Sequence, residues 1–63
     1  MNRADELRTL PPGRLLSFGD MQRLLGSVPP QSEFSFDMRN GHPIRKAFRR
    51  HTVQGREAWE VVA

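Results

Sequence analysis

Six basic residues between positions 38 and 56 are the side chains of this sequence most suited to binding a ligand. No acidic residue interrupts them, and five of the six are arginines, whose planar guanidinium groups donate paired hydrogen bonds to phosphate or carboxylate. A block of one charge sign on a small domain attracts anions whatever the net charge of the chain. We therefore predict that the following residues contact nucleic acid or an acidic protein surface: Arg39, Arg45, Lys46, Arg49, Arg50 and Arg56.

The rest of the chain nearly balances this block. Residues 1–37 carry four arginines and five acidic residues, Glu57 and Glu60 follow the block, and the net charge is +3. Each phosphate that a protein neutralises releases counterions, so binding through the block should weaken steeply as the salt concentration rises. The partly acidic N-terminal half should face away from the ligand or mediate self-association. The alternative is that the basic residues form only a solvated surface.

Catalysis and metal binding are not expected from this sequence. The chain has no cysteine, and its histidines are His42 and His51. Neither histidine lies at a spacing typical of a catalytic or metal-binding motif from a nucleophile, an acid pair or clustered carboxylates. A chain of 63 residues also lacks room for a roofed pocket. We expect no enzyme activity, no cofactor, no bound metal and no small-molecule substrate.

The N-terminus and overall hydropathy indicate a protein that stays in the cytoplasm. Residues 1–10 include Arg3, Asp5, Glu6 and Arg8 and contain no apolar run, unlike a secretory signal. No stretch approaches the roughly 20 apolar residues of a membrane span, so no membrane partner is expected. The length predicts a single small domain over residues 1–63, within which residues 1–13 could be a loosely docked arm.

Two short helices are predicted in the first half of the chain. Residues 4–10 form the first, which ends at the Pro11-Pro12-Gly13 sequence. Ser17 suits the N-cap of the second, with Asp20 in its first turn, because a hydroxyl and a carboxylate satisfy the free N–H groups there. Gly26 suits the C-cap.

The middle of the chain predicts a strand. Phe34, Phe36 and Met38 alternate with polar residues over positions 33–39, as in a strand with one buried face. A helix that places Phe34 and Met38 on one side is the alternative. The Asn40-Gly41 sequence predicts a turn after this segment.

A basic amphipathic helix and a hairpin are predicted for the last third of the chain. Pro43 suits the first position of a helix, and the helix would carry Ile44, Ala47, Phe48 and His51 on its apolar face. Residues 52–54 and 57–62 would then form a hairpin with a turn at Gly55-Arg56. Trp59 on the returning strand is predicted to anchor the core, in preference to stacking on a base.

Together these elements predict an α+β fold of two to three short helices with a small antiparallel sheet, ending in a C-terminal β-hairpin. One core would hold the apolar residues of every element. Its predicted members are Leu7, Leu15, Leu16, Phe18, Met21, Leu24, Leu25, Phe34, Phe36, Ile44, Phe48, Val53, Trp59 and Val61.

The order of these parts resembles compact winged helix-turn-helix and excisionase-like DNA-binding modules. The similar segments are LLSFGDMQRLLG, HPIRKAFRR and the terminal HTVQGREAWEVV. In such modules the second helix lies in the major groove and the hairpin wing contacts the DNA backbone. The resemblance implies that Arg45, Lys46, Arg49 and Arg50 contact the groove or phosphates and that Arg56 is a wing contact. The sequence departs from these modules in the long connection over residues 27–42.

Two classes of function are consistent with these residues. The first is a small DNA-binding regulator that uses the arginine-rich helix and the hairpin tip, with RNA as a further possible ligand that the sequence does not separate from DNA. The second is a small protein of the phage or mobile-element type that binds and inhibits or redirects a host protein, such as RNA polymerase or a nuclease, through an acidic surface of that protein.

Overall fold

The computed structural model describes residues 2–39 and 43–62. Within these ranges the chain forms two helices, α1 (Arg3–Thr9) and α2 (Phe18–Leu25), and four strands. The strands are β1 (Leu15–Leu16), β2 (Glu33–Met38), β3 (Ile44–Val53) and β4 (Arg56–Val61). They form one antiparallel sheet in the order β1-β4-β3-β2. The predicted α+β class with a terminal hairpin is therefore confirmed.

Helix α2 begins and ends as its sequence predicts. The Ser17 hydroxyl accepts a hydrogen bond from the Asp20 backbone N–H at 3.1 Å, and the Asp20 carboxylate accepts one from the Ser17 N–H at 3.4 Å. This reciprocal arrangement satisfies two N–H groups that the helix itself leaves free. Gly26 ends the helix at φ +85°, a left-handed conformation that favours glycine.

Helix α1 packs on the sheet rather than forming a loose arm. Leu7 is fully buried and Leu10 nearly so, and the helix contacts β3. Asn2 caps its first turn by accepting a hydrogen bond from the Asp5 N–H at 2.8 Å. The Arg23 guanidinium joins α2 to α1 through two hydrogen bonds to Glu6, at 2.6 and 2.8 Å.

The predicted basic helix that begins at Pro43 is wrong, because residues 44–53 form strand β3. Ile44 and Phe48 are both buried, and a spacing of four puts two residues on one face of a strand as well as of a helix. Between and beyond them on the same face lie Lys46 and Arg50. Because these two inward-facing residues are charged, the segment does not show the alternation of apolar and polar residues that is typical of a strand. Its apolar residues alone fit the spacing of a helix.

The two hairpins around β3 agree in outline with the sequence. Residues 33–38 form the predicted strand β2, with the side chains of Phe34, Phe36 and Met38 half-buried. The turn of the second hairpin lies at Gln54-Gly55, one residue before the predicted position, and both residues have positive φ, 52° and 77°. Such a turn matches the twist of the flanking strands. The predicted Asn40-Gly41 turn lies outside the described residues.

The core lies between the helices and one face of the sheet. Most of its predicted members are buried or half-buried, but three are not: Leu15 is 52% exposed, Phe18 50% and Val53 44%. Leu15 and Val53 lie on the opposite face of the sheet: Leu15 precedes buried Leu16, and Val53 is separated from buried Phe48 by an odd number of positions along β3. Phe18 packs against Trp59 as a tilted ring pair with a centroid distance of 5.9 Å. The fully or nearly buried residues are Leu7, Leu10, Leu16, Met21, Leu24, Ile44, Phe48, Trp59 and Val61.

Replacing Phe48 by alanine should remove most of the stability of the fold. Phe48 is fully buried at the centre of the sheet and packs on Phe34 at a ring distance of 5.5 Å. We expect Phe48→Ala to cost about 3 to 5 kcal/mol, against a total of roughly 3 to 9 kcal/mol for a domain of this length. Phe18→Ala, at a half-exposed ring, should cost about 1 kcal/mol. Thermal unfolding followed by circular dichroism measures both, and cooperative melting of Phe48→Ala at the wild-type temperature would contradict this core.

The ion pairs between the two helices should make the free energy of unfolding decrease at acidic pH. The hydrogen bonds from Arg23 lower the pKa of Glu6 below its ordinary 4.5. The pKa of Asp20 is lowered from 3.8, first by the Ser17 backbone N–H and then by Arg23. A carboxyl group with a lowered pKa in the folded state stabilises the protein above its unfolded pKa, and this contribution is lost as the pH falls through the folded value.

Arg23→Gln should therefore melt below the wild type at pH 7, and the gap should shrink as the pH falls below about 4.5, the ordinary pKa of Glu6. The Glu6 carboxyl resonance, followed by NMR, should titrate closer to that ordinary value in the variant. Arg3→Gln, on the exposed side of α1, serves as the control of equal charge change. An unchanged Glu6 pKa in Arg23→Gln would contradict the assigned cause.

Candidate binding surface

The six predicted site residues do not share one surface. Side chains of a strand alternate between its two faces, and on β3 this places Lys46 and Arg50 with buried Phe48 on the helix-covered side. Arg45 and Arg49 point to the opposite side. The remaining two, Arg39 and Arg56, lie at opposite ends of the sheet, about 30 Å apart along a ten-residue strand. Within the described residues, the basic side chains are therefore divided between two faces and two ends of the sheet.

Lys46 and Arg50 stabilise the fold from the helix-covered side. The Lys46 ammonium donates a hydrogen bond to the Leu10 carbonyl at 3.1 Å, in a partly buried position. Leu10 is the C-cap of α1, where the carbonyl groups carry partial negative charge. Arg50 donates to the Pro30 carbonyl at 2.9 Å and approaches Glu57 at 3.7 Å. Both cations are therefore engaged within the molecule.

On the other side of the sheet, carboxylates of the neighbouring strands pair with the arginines of β3. Arg45 lies 3.4 Å from Asp37 and Arg49 lies 3.2 Å from Glu33. Arg49 also lies directly opposite Glu60 of the neighbouring strand β4. The basic block has no acid along the chain, but the antiparallel register of the sheet brings acids beside it. This surface is close to charge-neutral.

We call this uncovered side the open sheet face. Alongside its charged pairs it carries a hydrogen bond between His51 Nε2 and the Glu60 carboxylate at 2.6 Å. Small side chains flank its central row of Glu33, Arg49 and Glu60, with Ala47 and Ser35 on one side and Ala58 on the other. The members of the face are Leu15, Glu33, Ser35, Asp37, Arg45, Ala47, Arg49, His51, Val53, Arg56, Ala58 and Glu60.

The open sheet face exposes apolar side chains that the sequence predicts to be part of the core. Leu15 and Val53, each about half-exposed, both lie here. The short strand β1, which pairs Leu15 with Glu60, is not predicted by the sequence, since two residues are too few for a periodic pattern. Exposed aliphatic side chains beside pairs of opposite charge are common in protein-binding surfaces.

Arg39 and Arg45 come together at the end of the sheet where β2 meets β3. Together with Asp37, Met38, Pro43 and Ile44 they line a shallow concavity of about 360 Å³. The Arg45 side chain is 78% exposed, and within the described residues Arg39 has no ion pair. This pair is the part of the predicted basic site that is most open to an anion.

The aromatic and imidazole candidates take structural positions. Trp59 is fully buried, which confirms its predicted role as a core anchor. Its indole Nε1 has no hydrogen-bond partner in the part of the chain that the structure describes. His51 bonds to Glu60, and His42 lies outside the described residues. Across residues 2–39 and 43–62 no group of three potential metal ligands comes together.

No family model, curated protein or solved structure matches this chain. The resemblance to winged helix-turn-helix modules therefore stays a prediction, and the segment to which it assigned the groove-binding helix is strand β3. Neither α1 nor α2, the helices of the described ranges, has the length and apolarity needed to cross a bilayer.

The different positions of Lys46 and Arg45 predict different mutational costs. Lys46→Met keeps the length of the side chain but leaves the Leu10 carbonyl without its donor, so it should cost about 1 to 2 kcal/mol. Arg45→Met breaks only an exposed ion pair and should cost less than about 0.5 kcal/mol. Urea unfolding of the two variants measures the difference. Equal costs would show that the hydrogen bond to Leu10 contributes nothing to stability.

Proposed function

We propose that this protein is a small regulator that acts by binding another protein through its open sheet face, without catalysing a reaction. The observation that carries the proposal is the composition of that face: rows of oppositely charged side chains alternate with small side chains, and Leu15 and Val53 expose aliphatic surface at its margins. The proposed partner surface is complementary to it, with charges of both signs opposite the charged rows and apolar side chains opposite Leu15 and Val53.

Charge balance favours a protein over a nucleic acid as the main ligand. A phosphate backbone presents charge of one sign, so the glutamates that flank Arg49 would oppose its approach. A protein surface of mixed charge can match both members of each pair, and matched potentials give an interface its specificity and its register. The cost of rearranging the pairs is small, because exposed ion pairs contribute only about 0 to 1 kcal/mol.

The exposed aliphatic side chains supply a second reason. Leu15 and Val53 would lose solvent contact under a partner, which stabilises a complex by about 25 cal/mol for each Å² of apolar surface buried. Ala47, Ala58 and Ser35, which flank the central charged row, have short side chains, so that a partner can approach the sheet closely there. Adaptors and inhibitors of other proteins need no more than such a surface.

Nucleic-acid binding is the second candidate, and Arg39 with Arg45 is the observation that favours it. These two guanidinium groups line one concavity, and one acid, Asp37, shares it with them. They could hold a single phosphate with forked hydrogen bonds. Binding at this site would be weaker and less dependent on salt than binding by six clustered cations.

Substituting the centre of the open sheet face tests the main proposal. Tagged wild type, Ala47→Arg and Gln22→Arg are used in parallel to recover partners from a lysate of the source cells, and the recovered protein is then purified and titrated. Ala47→Arg places a long charged side chain at the centre of the face and should weaken binding at least about tenfold. Gln22→Arg adds the same charge on exposed α2 and should bind like the wild type.

A titration with random-sequence duplex DNA at low salt separates the two candidates. No shift of the amide resonances of residues 39, 45, 49 and 56 is expected under the main proposal. Shifts centred on Arg39 and Arg45, together with equal protein binding by Ala47→Arg and the wild type, would overturn the main proposal and support the second. Thermal melting of each variant checks that its fold is intact.

A further inference from the structure

Strand β2 forms a free edge of the sheet. It is the last strand in the order β1-β4-β3-β2, and its six residues pair with β3 on one side only. The other edge of the sheet differs, because β1 and the Gly13-Arg14 backbone cover part of β4. Proteins usually shorten, cover or distort such an edge, because its unpaired N–H and C=O groups can pair with another strand.

The register shows which groups face outward along β2. The Arg50 N–H donates to the Ser32 carbonyl at 2.7 Å, and hydrogen-bonded pairs alternate along an antiparallel ladder. Phe34, Phe36 and Met38 therefore direct their backbone groups toward β3. The backbone N–H and C=O groups of Glu33, Ser35 and Asp37 point away from the sheet, and all three residues are exposed.

The helix-covered side of β2 is incompletely covered. Helix α1 packs against β3 and α2 against β4, so β2 extends beyond the main helix contacts. The side chains of Phe34, Phe36 and Met38 pack against the core but are only partly buried. A free backbone edge thus runs beside a strip of partly exposed apolar side chains.

We propose that a second copy of this chain occupies this edge, so that two β2 strands pair antiparallel with Phe36 opposite Phe36 of the second copy. A twofold axis perpendicular to the sheet relates the copies in this arrangement. The apolar strips then meet on the helix-covered side, Phe36 against Phe36 and Phe34 against Met38. The two sheets become one continuous sheet of eight strands.

The charges along β2 favour this register over a shift of one residue in either direction. With Phe36 on the axis, Glu33 lies opposite Arg39 of the second copy and Asp37 lies opposite Ser35. A register with Ser35 on the axis would place Glu33 opposite Asp37 of the second copy. A register with Asp37 on the axis would place the Asp37 carboxylates of the two copies opposite each other. Like charges directly opposite each other destabilise a strand pair, whereas unlike charges stabilise it.

Arg39 gains a partner in this arrangement. Within the described residues it has no ion pair, although Arg45 and Arg49 each have one. In the dimer it would pair with Glu33 at both ends of the joined strands. The open sheet face of each copy stays uncovered, so dimerisation is compatible with the proposed protein binding, and the two are tested with different residues.

Sedimentation equilibrium of the wild type and Ser35→Pro tests the dimer. The wild type should sediment as a concentration-dependent dimer of the 7.3 kDa chain. Proline at position 35 removes an outward N–H that β3 does not use, and edge strands tolerate proline there. Ser35→Pro should keep the wild-type circular dichroism spectrum and shift to monomer. A wild type that remains monomeric up to about 1 mM, or a folded Ser35→Pro that dimerises equally well, would overturn the proposal.

Single cysteines test the register independently of the proline variant. The chain contains no cysteine, so Phe36→Cys and Ser35→Cys each introduce one thiol. Residues on the twofold axis in a non-hydrogen-bonded pair have Cα atoms about 4.5 Å apart, within the range of a disulfide. Phe36→Cys should form a covalent dimer in air, and Ser35→Cys, which faces Asp37, should form it much more slowly. Equal rates, or faster linkage of Ser35→Cys, would exclude this register.

Discussion

The antiparallel register between β2 and β3 determines the electrostatic character of this protein. It places Asp37 opposite Arg45 and Glu33 opposite Arg49. Two arginines of β3, a strand without acidic residues, therefore lie beside carboxylates of β2. A shift of one residue would turn the aromatic side of β2 to solvent and leave the arginines without partners. The same register leaves the outward backbone groups of β2 free. The surface chemistry and the free edge therefore have a common origin.

A second constraint connects the N-terminal part of the chain to the sheet. Helix α1 is only seven residues long, too short to be stable by its own hydrogen bonds. Burial of Leu7, the hydrogen bond from Lys46 to Leu10, and the ion pair between Glu6 and Arg23 hold it in place. These contacts come from different elements, so the position of α1 depends on both the sheet and α2.

The sequence predicts the parts of this fold that local chemistry dictates. Ser17 and Gly26 bound α2 because capping depends on residues within one turn, and alternation over β2 is visible because its polar positions are all on one face. Strand β3 resembles a helix in sequence because Lys46 and Arg50 lie on the buried side. Their charged ends reach carbonyl groups of Leu10 and Pro30, which are distant in the chain. No local pattern indicates such partners.

The basic residues lie on two faces of the sheet, which a charge count does not reveal, for a related reason. A charge count along the chain treats neighbours in sequence as neighbours in space, which holds for one helix but fails for a sheet. Once residues 44–53 are assigned to a strand between β2 and β4, alternation along the strand assigns each of its basic residues to one face of the sheet. The strand pairing then shows which acidic residues lie opposite Arg49. The identity of the secondary structure thus decides whether the same residues form a basic surface or a neutral one.

The buried indole of Trp59 gives the molecule an intrinsic optical reporter. It is the one tryptophan of the chain, and the chain has no tyrosine. Its ring lies at the centre of β4 between the sheet and the helices, so its emission depends on the packing of both layers. Because the ring is fully buried among apolar side chains, the surroundings of the excited state are apolar. Fluorescence from this single chromophore therefore distinguishes the native packing from any state in which water reaches the interior.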